Sequence, residues 1–208
     1  MFAYEGLGSI YWHMVAKLLL AVSERAFAAV EQGAPNEVVS QLVERYYTVR
    51  RGLGGFNKTP SVYGAFPLDP YSHTPAGSGA RQPGMTGQVK EEVLTRFAEL
   101  GVTVHGGRIS FRPLLLRKSE FLREPAELST FDVSGAPLTV PLAVDTLGFT
   151  YCQVPVVFHL GDKLRVVLTQ QSGSEEVSGD TLSVEASAAL FARSGLIKQI
   201  DVWTKPGC

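Results

Sequence analysis

The side chains best suited to act on a ligand gather in one Gly- and Pro-rich stretch, residues 64–88. It carries a carboxylate (Asp69), an aromatic ring (Tyr71), an imidazole (His73) and a guanidinium (Arg81), and it ends on Thr86 and Gly87. Loops of this length inside a domain are uncommon and tend to be functional or disordered. A disordered linker is poorer in aromatic residues and does not end so abruptly. Thr86 and Gly87 stand where a helix over residues 88–100 is expected to begin. Free backbone N–H groups and the helix dipole favour an anion there; a plain surface loop capped by Thr86 is the alternative.

Two further positions could take part. His13 follows Tyr11 and Trp12 near the start of the first expected helix. Its ring could be held by hydrogen bonds inside a packed interface, or it could bind an anion or a sugar hydroxyl with Trp12 as a stacking surface. Glu91 and Glu92 are adjacent, and on a helix neighbours point about 100° apart. They cannot form an acid/base pair facing one site. One could serve as a general base, or both could lie on a solvated face with Glu92 paired to Arg96. Asp69 precedes Pro70 and could equally be turn chemistry.

Other chemistries lack their residues. His13, His73, His105 and His159 are scattered without metal-ligand spacing, so no metal site is expected. There is no Gly-x-Ser-x-Gly and no phosphate loop of the P-loop type. Cys152 lies in an apolar run and reads as a small buried hydrophobe.

These residues need a scaffold, and the chain of 208 residues is long enough to build one. Its 45% hydrophobic and 19% charged content is that of a globular protein. A net charge of -1 gives no footprint for nucleic acid. Two cysteines make a disulfide framework improbable, and no leader pattern is evident. The apolar segment 15–22 is short and contains Lys17, so no membrane span is expected. A cytoplasmic setting follows from these features.

Apolar spacing predicts helices over residues 9–31, 35–51 and 88–100, with Gly33, Gly52 and Gly101 as stops. A Gly-Gly turn between residues 102–105 and 108–112 predicts a β-hairpin. Further strands are expected over residues 149–160, 163–169, 181–184 and 196–203, with Pro155 marking an edge or bulge. The expected class is α+β: a helical part over residues 1–101 with a long loop at 52–87, then an antiparallel β-sandwich over residues 102–208. Three helices with apolar stripes have too little partner surface among themselves, so their faces expect partners, either the sandwich or further helices outside this sequence.

Several of these segments, in order, resemble the carboxyl-terminal part of the cellobiose-phosphorylase-like inverting glycoside phosphorylases, glycoside hydrolase family 94. Gly8-Ser-Ile-Tyr-Trp-His13 is similar to that family's Gly-aromatic-x-His segment. Asp69-Pro70-Tyr71 is similar to its Glu-Pro-Tyr loop, and Met85-Thr86-Gly87-Gln88-Val89 to its Thr-Gly helix start. The hairpin ending at Pro113 is alike too, so the resemblance spans about residues 8–115.

The resemblance implies the end of an (α/α)6 barrel followed by a β-structure. It assigns phosphate binding to His13, Thr86 and Gly87; Trp12, Tyr71, His73 and Arg81 are the substrate-binding residues expected from their types and places. Glu91 and Asp69 are then the candidate catalytic carboxylates. No cofactor is implied beyond inorganic phosphate as co-substrate. The partners implied are an oligosaccharide or sugar phosphate and an upstream barrel polypeptide or a second copy of the chain, with neither nucleic acid nor membrane. The sequence Gln-Val-Lys-Glu-Glu after Thr-Gly departs from the family and leaves room for a hydrolase in which Glu91 or Glu92 activates water. The family's general acid lies upstream of the matched segment, so this chain alone is expected not to turn over. The reading from a different class is a non-catalytic carbohydrate- or protein-binding module with a helical assembly surface.

Overall fold

The structure is a computed structural model. It describes residues 6–52 and 86–205, with the backbone alone at residues 6–13, 52, 86–90 and 92. The class is α+β. Helices α1 (Gly6–Glu31), α2 (Asn36–Gly52) and α3 (Thr86–Glu99) come first. Strands β1 (Val102–His105), β2 (Arg108–Phe111), β3 (Ala126–Phe131), β4 (Pro137–Leu142), β5 (Thr146–Tyr151), β6 (Val154–Leu160), β7 (Arg165–Gln170) and β8 (Gly173–Val177) follow. A fourth helix, α4 (Val184–Phe191), precedes the last strand, β9 (Ile197–Thr204). The chain divides into two compact units, Met1–Arg96 and Phe97–Cys208.

In the first unit α1 packs on α2. Ala16, Leu19, Ser23, Ala26 and Ala29 are buried along α1 at spacings of three and four, which makes one continuous stripe. Val43, Tyr46, Tyr47 and Arg50 are the buried positions of α2. Gly33 ends α1 at φ 68°. Ala34 N–H donates to Ala29 O and Gly33 N–H to Val30 O, so the left-handed glycine satisfies the last carbonyls. Met14, Leu18 and Val30 of α1 and Val38 of α2 remain exposed.

The second unit is built on a five-stranded sheet in the order β5-β6-β9-β7-β8. β6 and β9 run parallel; the other neighbours in this sheet are antiparallel. One face is the core: Val154, Val156 and Phe158 of β6, Val166 and Leu168 of β7, Ile200 and Val202 of β9. The hairpin β1-β2 contributes Ile109 and Phe111 to this core, and α4 contributes Leu190. Phe111 and Phe149 both meet the ring of Phe158 edge to face. On the other face the hairpin β3-β4 lays Val140 and Leu142 on Val157. A Cβ at Gly148 would lie 2.7 Å from Leu142 Cδ1, so the absence of a side chain there lets the hairpin approach.

The Gly106-Gly107 turn of β1-β2 and the left-handed Gly101 stand where the pattern placed them. Three expectations are corrected. Residues 149–160 are not one strand: Cys152 and Gln153, at φ 50° and 65°, form a two-residue turn between β5 and β6. Cys152 is therefore a half-buried turn residue rather than a core one. Residues 181–184 are not a strand either. Leu182 is fully buried, and the Ser183 hydroxyl accepts from the Ala186 N–H to cap α4. Pro155 lies inside the sheet, on β6; the ladder to β9 begins one residue later, at Val156.

Candidate functional site

Trp12 and His13 belong to α1, and Thr86 and Gly87 open α3; their side chains lie outside the described residues. Asp69, Tyr71, His73 and Arg81 lie outside the described residues altogether. Of the expected site residues, Glu91 alone has a described side chain, and it is 3% exposed. Thr95 and Glu99, one and two turns on, are buried on the same face of α3. The start of α3 at Thr86-Gly87 puts the helix N-terminus at the residues chosen for an anion.

The second unit holds a group of chemically capable side chains on the sheet face opposite the core. Alternation along β9 sends Gln199, Asp201 and Trp203 to this face, while Ile200 and Val202 go to the core. The register sets His159 of β6 on one side of Trp203 and Arg165 of β7 on the other. The imidazole of His159 lies 4.6 Å from the indole, centroid to centroid, with 13° between the planes. The Arg165 Cζ sits 4.6 Å from the centre of the same indole. A stack of three flat groups therefore stands on three neighbouring strands.

The two ends of this stack are held differently. His159 Nε2 pairs with Asp201 Oδ1 at 2.7 Å. The Gln199 amide donates to both oxygens of Asp201, at 3.1 and 2.9 Å. A carboxylate braced in this way fixes the tautomer and plane of the imidazole it holds. At the other end Arg165 Nε donates to Glu176 Oε2 at 2.9 Å. That pair is 49% and 60% exposed, against 27% and 15% for His159 and Asp201. Exposed pairs of that kind contribute about 0–1 kcal/mol, so one end is fixed and the other is easily moved. Among the described residues, His159 Nδ1 and the Trp203 indole N–H make no hydrogen bond.

Two other places are built from polar groups. A cleft of about 120 Å³ lies between the turns of β3-β4 and β5-β6, with Gln153 and Lys198 among its lining residues. Hydrogen bonds from Ser134 and Ala136 hold the Asp132 carboxyl there below its usual range, and this is turn chemistry. Elsewhere Arg112 Nε meets Asp180 Oδ2 at 2.6 Å. Burial pushes the Asp180 pKa up, but hydrogen bonds from Thr181 and Arg112 outweigh it and hold the carboxyl below its usual range. Among the described residues no group of three or more His, Cys, Asp or Glu side chains is arranged to hold a metal ion, and no helix is long and apolar enough to cross a membrane.

No protein-family model matches the sequence, and no curated protein matches it.

The stack on the sheet was missed from sequence. Gln199, Asp201 and Trp203 do alternate with apolar residues, which is a legible signal. His159 and Arg165 join them only through a parallel pairing and a register that no short-range pattern encodes.

Proposed function

We propose that the chain is the carboxyl-terminal part of a carbohydrate-active enzyme of the glycoside-phosphorylase type, working in the cytoplasm. Its helices end an (α/α)6 barrel and its β unit is the sandwich that follows. His13, Thr86 and Gly87 hold phosphate; Trp12, Tyr71, His73 and Arg81 contact the sugar. In the inverting reaction a phosphate oxygen attacks the anomeric carbon, the glycosidic C–O bond breaks, and an acid protonates the leaving oxygen. Asp69 is the candidate acid. Glu91 stands on the nucleophile's side, or activates water if the reaction is hydrolysis.

The observation that carries the reading is that α3 starts at Thr86-Gly87 with Glu91 buried one turn on. A helix N-terminus favours an oxyanion, and the burial of Glu91 takes it off the solvated face of α3. Thermal unfolding with and without inorganic phosphate tests it. A ligand of the native state raises stability by mass action, by roughly 2.7 kcal/mol at a hundred times its Kd. Phosphate is expected to raise the melting temperature of the wild type, with the rise lost in Thr86→Val and His13→Ala. No rise, or an equal rise in all three proteins, would count against the reading.

The second reading, a carbohydrate-binding module, is favoured by one observation: the stack of His159, Trp203 and Arg165 on the sheet.

A further inference from the structure

We infer that Trp203 is a sugar-binding platform, backed by His159 and covered in the free protein by Arg165, and that its ligand is a pyranose unit of an oligosaccharide. The inference rests on the second unit alone. It deepens the binding-module reading and is independent of the phosphate site.

Three observations lead to it. The back of the indole is fixed. His159 stacks on it, Asp201 holds His159, and Gln199 braces Asp201 through both carboxylate oxygens. The front of the indole is covered by a side chain that is cheap to move: Arg165 is half exposed and anchored only to Glu176, itself more exposed. Gly161 lies against the base of the ring: a Cβ there would sit 3.3 Å from Trp203 Cβ, slightly tight, and 3.6 Å from Cδ1, an ordinary contact.

The chemistry selects the ligand. A pyranose offers an apolar C–H face to an indole and a rim of hydroxyls that both donate and accept. The groups around Trp203 match that rim. The indole N–H donates, Asp201 accepts, and the Gln199 carbonyl accepts while its amide stays on Asp201. The Asp201 carboxylate and the Gln199 amide brace each other on β9, and this pre-organisation lowers the entropy lost on binding. When the sugar stacks, Arg165 leaves the ring and stays with Glu176 at the solvent edge. A nucleobase is the other flat ligand, and adenosine, which carries no phosphate, presents that flat ring alone.

The test is a titration of the full chain with cellotetraose, maltotetraose and adenosine. The indole N–H resonance of Trp203 is the readout, assigned by its loss in Trp203→Phe. One of the oligosaccharides is expected to shift it saturably, and adenosine is not. Trp203→Ala should abolish binding, read by calorimetry. Arg165→Ala, a surface change, should tighten binding about two- to five-fold by uncovering the ring, since an exposed cation–π contact is worth about that factor. Three results would overturn the inference: neither oligosaccharide moves the resonance, adenosine moves it in their place, or Arg165→Ala abolishes binding. None of them bears on phosphate at Thr86.

Discussion

Removing the carboxylate of Asp201 is the sharpest perturbation of the sheet face. Asp201→Ala deletes the 2.7 Å contact to His159 and both contacts from Gln199. A hydrogen bond to a charged group contributes about 1.5–3 kcal/mol when buried. Asp201 and His159 are 15% and 27% exposed, so the lower end of that range applies, about 1.5–2 kcal/mol. For a unit of this size each kcal/mol moves the melting temperature by about 4 °C, giving about 6–8 °C in all. Urea unfolding followed through the β9 amide resonances reports on this unit specifically. His159→Ala and the double variant complete a thermodynamic cycle, and the expected coupling between the two side chains is about 1–1.5 kcal/mol. Additive effects, within about 0.3 kcal/mol, would refute the claim that Asp201 holds His159 against Trp203.

Other consequences can be measured directly. Gly101 sits at φ 68°, and a Cβ there would lie 2.2 Å from the Arg112 carbonyl carbon, so Gly101→Ala should destabilise the second unit by about 3 kcal/mol or more, read by urea unfolding. Ser183→Ala removes the cap of α4 and should cost about 1 kcal/mol in the same assay. The Asp180 carboxyl is held below its ordinary value of 3.8. Its contribution is therefore present above the unfolded-state value and is lost as pH falls through the lowered folded-state one. Asp180→Asn should flatten the acid limb of the stability curve below about pH 4, and an unchanged limb would contradict this.

Periodicity and turn chemistry made the helices legible. Apolar residues every three or four positions marked α1, α2 and α3, and glycines at left-handed positions marked the ends of α1 and α3 and the turn of β1-β2. The same reasoning failed where tertiary contacts outweighed local preference. The run from Phe149 to Leu160 is rich in β-branched and aromatic residues, and the turn falls on Cys152-Gln153, which neither residue type favours. Hairpin β3-β4 has few buried residues and thus a weak alternation. Thr181 and Leu182 look like strand residues because Leu182 is buried against β2, whereas the helix after them is specified by the Ser183 cap. On the site, the sequence pointed to an anion at Thr86-Gly87 through helix-end physics. It could not assemble His159, Arg165 and Trp203, because long-range strand pairing brings them together.

The central claim is that the start of α3 takes the phosphate of a sugar phosphate. The most direct measurement is isothermal titration of the wild type and of Thr86→Val with glucose 1-phosphate, alongside glucose and inorganic phosphate. Saturable binding of glucose 1-phosphate and of phosphate by the wild type, both lost in Thr86→Val, is the predicted result. Absence of binding, or binding that survives the substitution unchanged, would contradict the account.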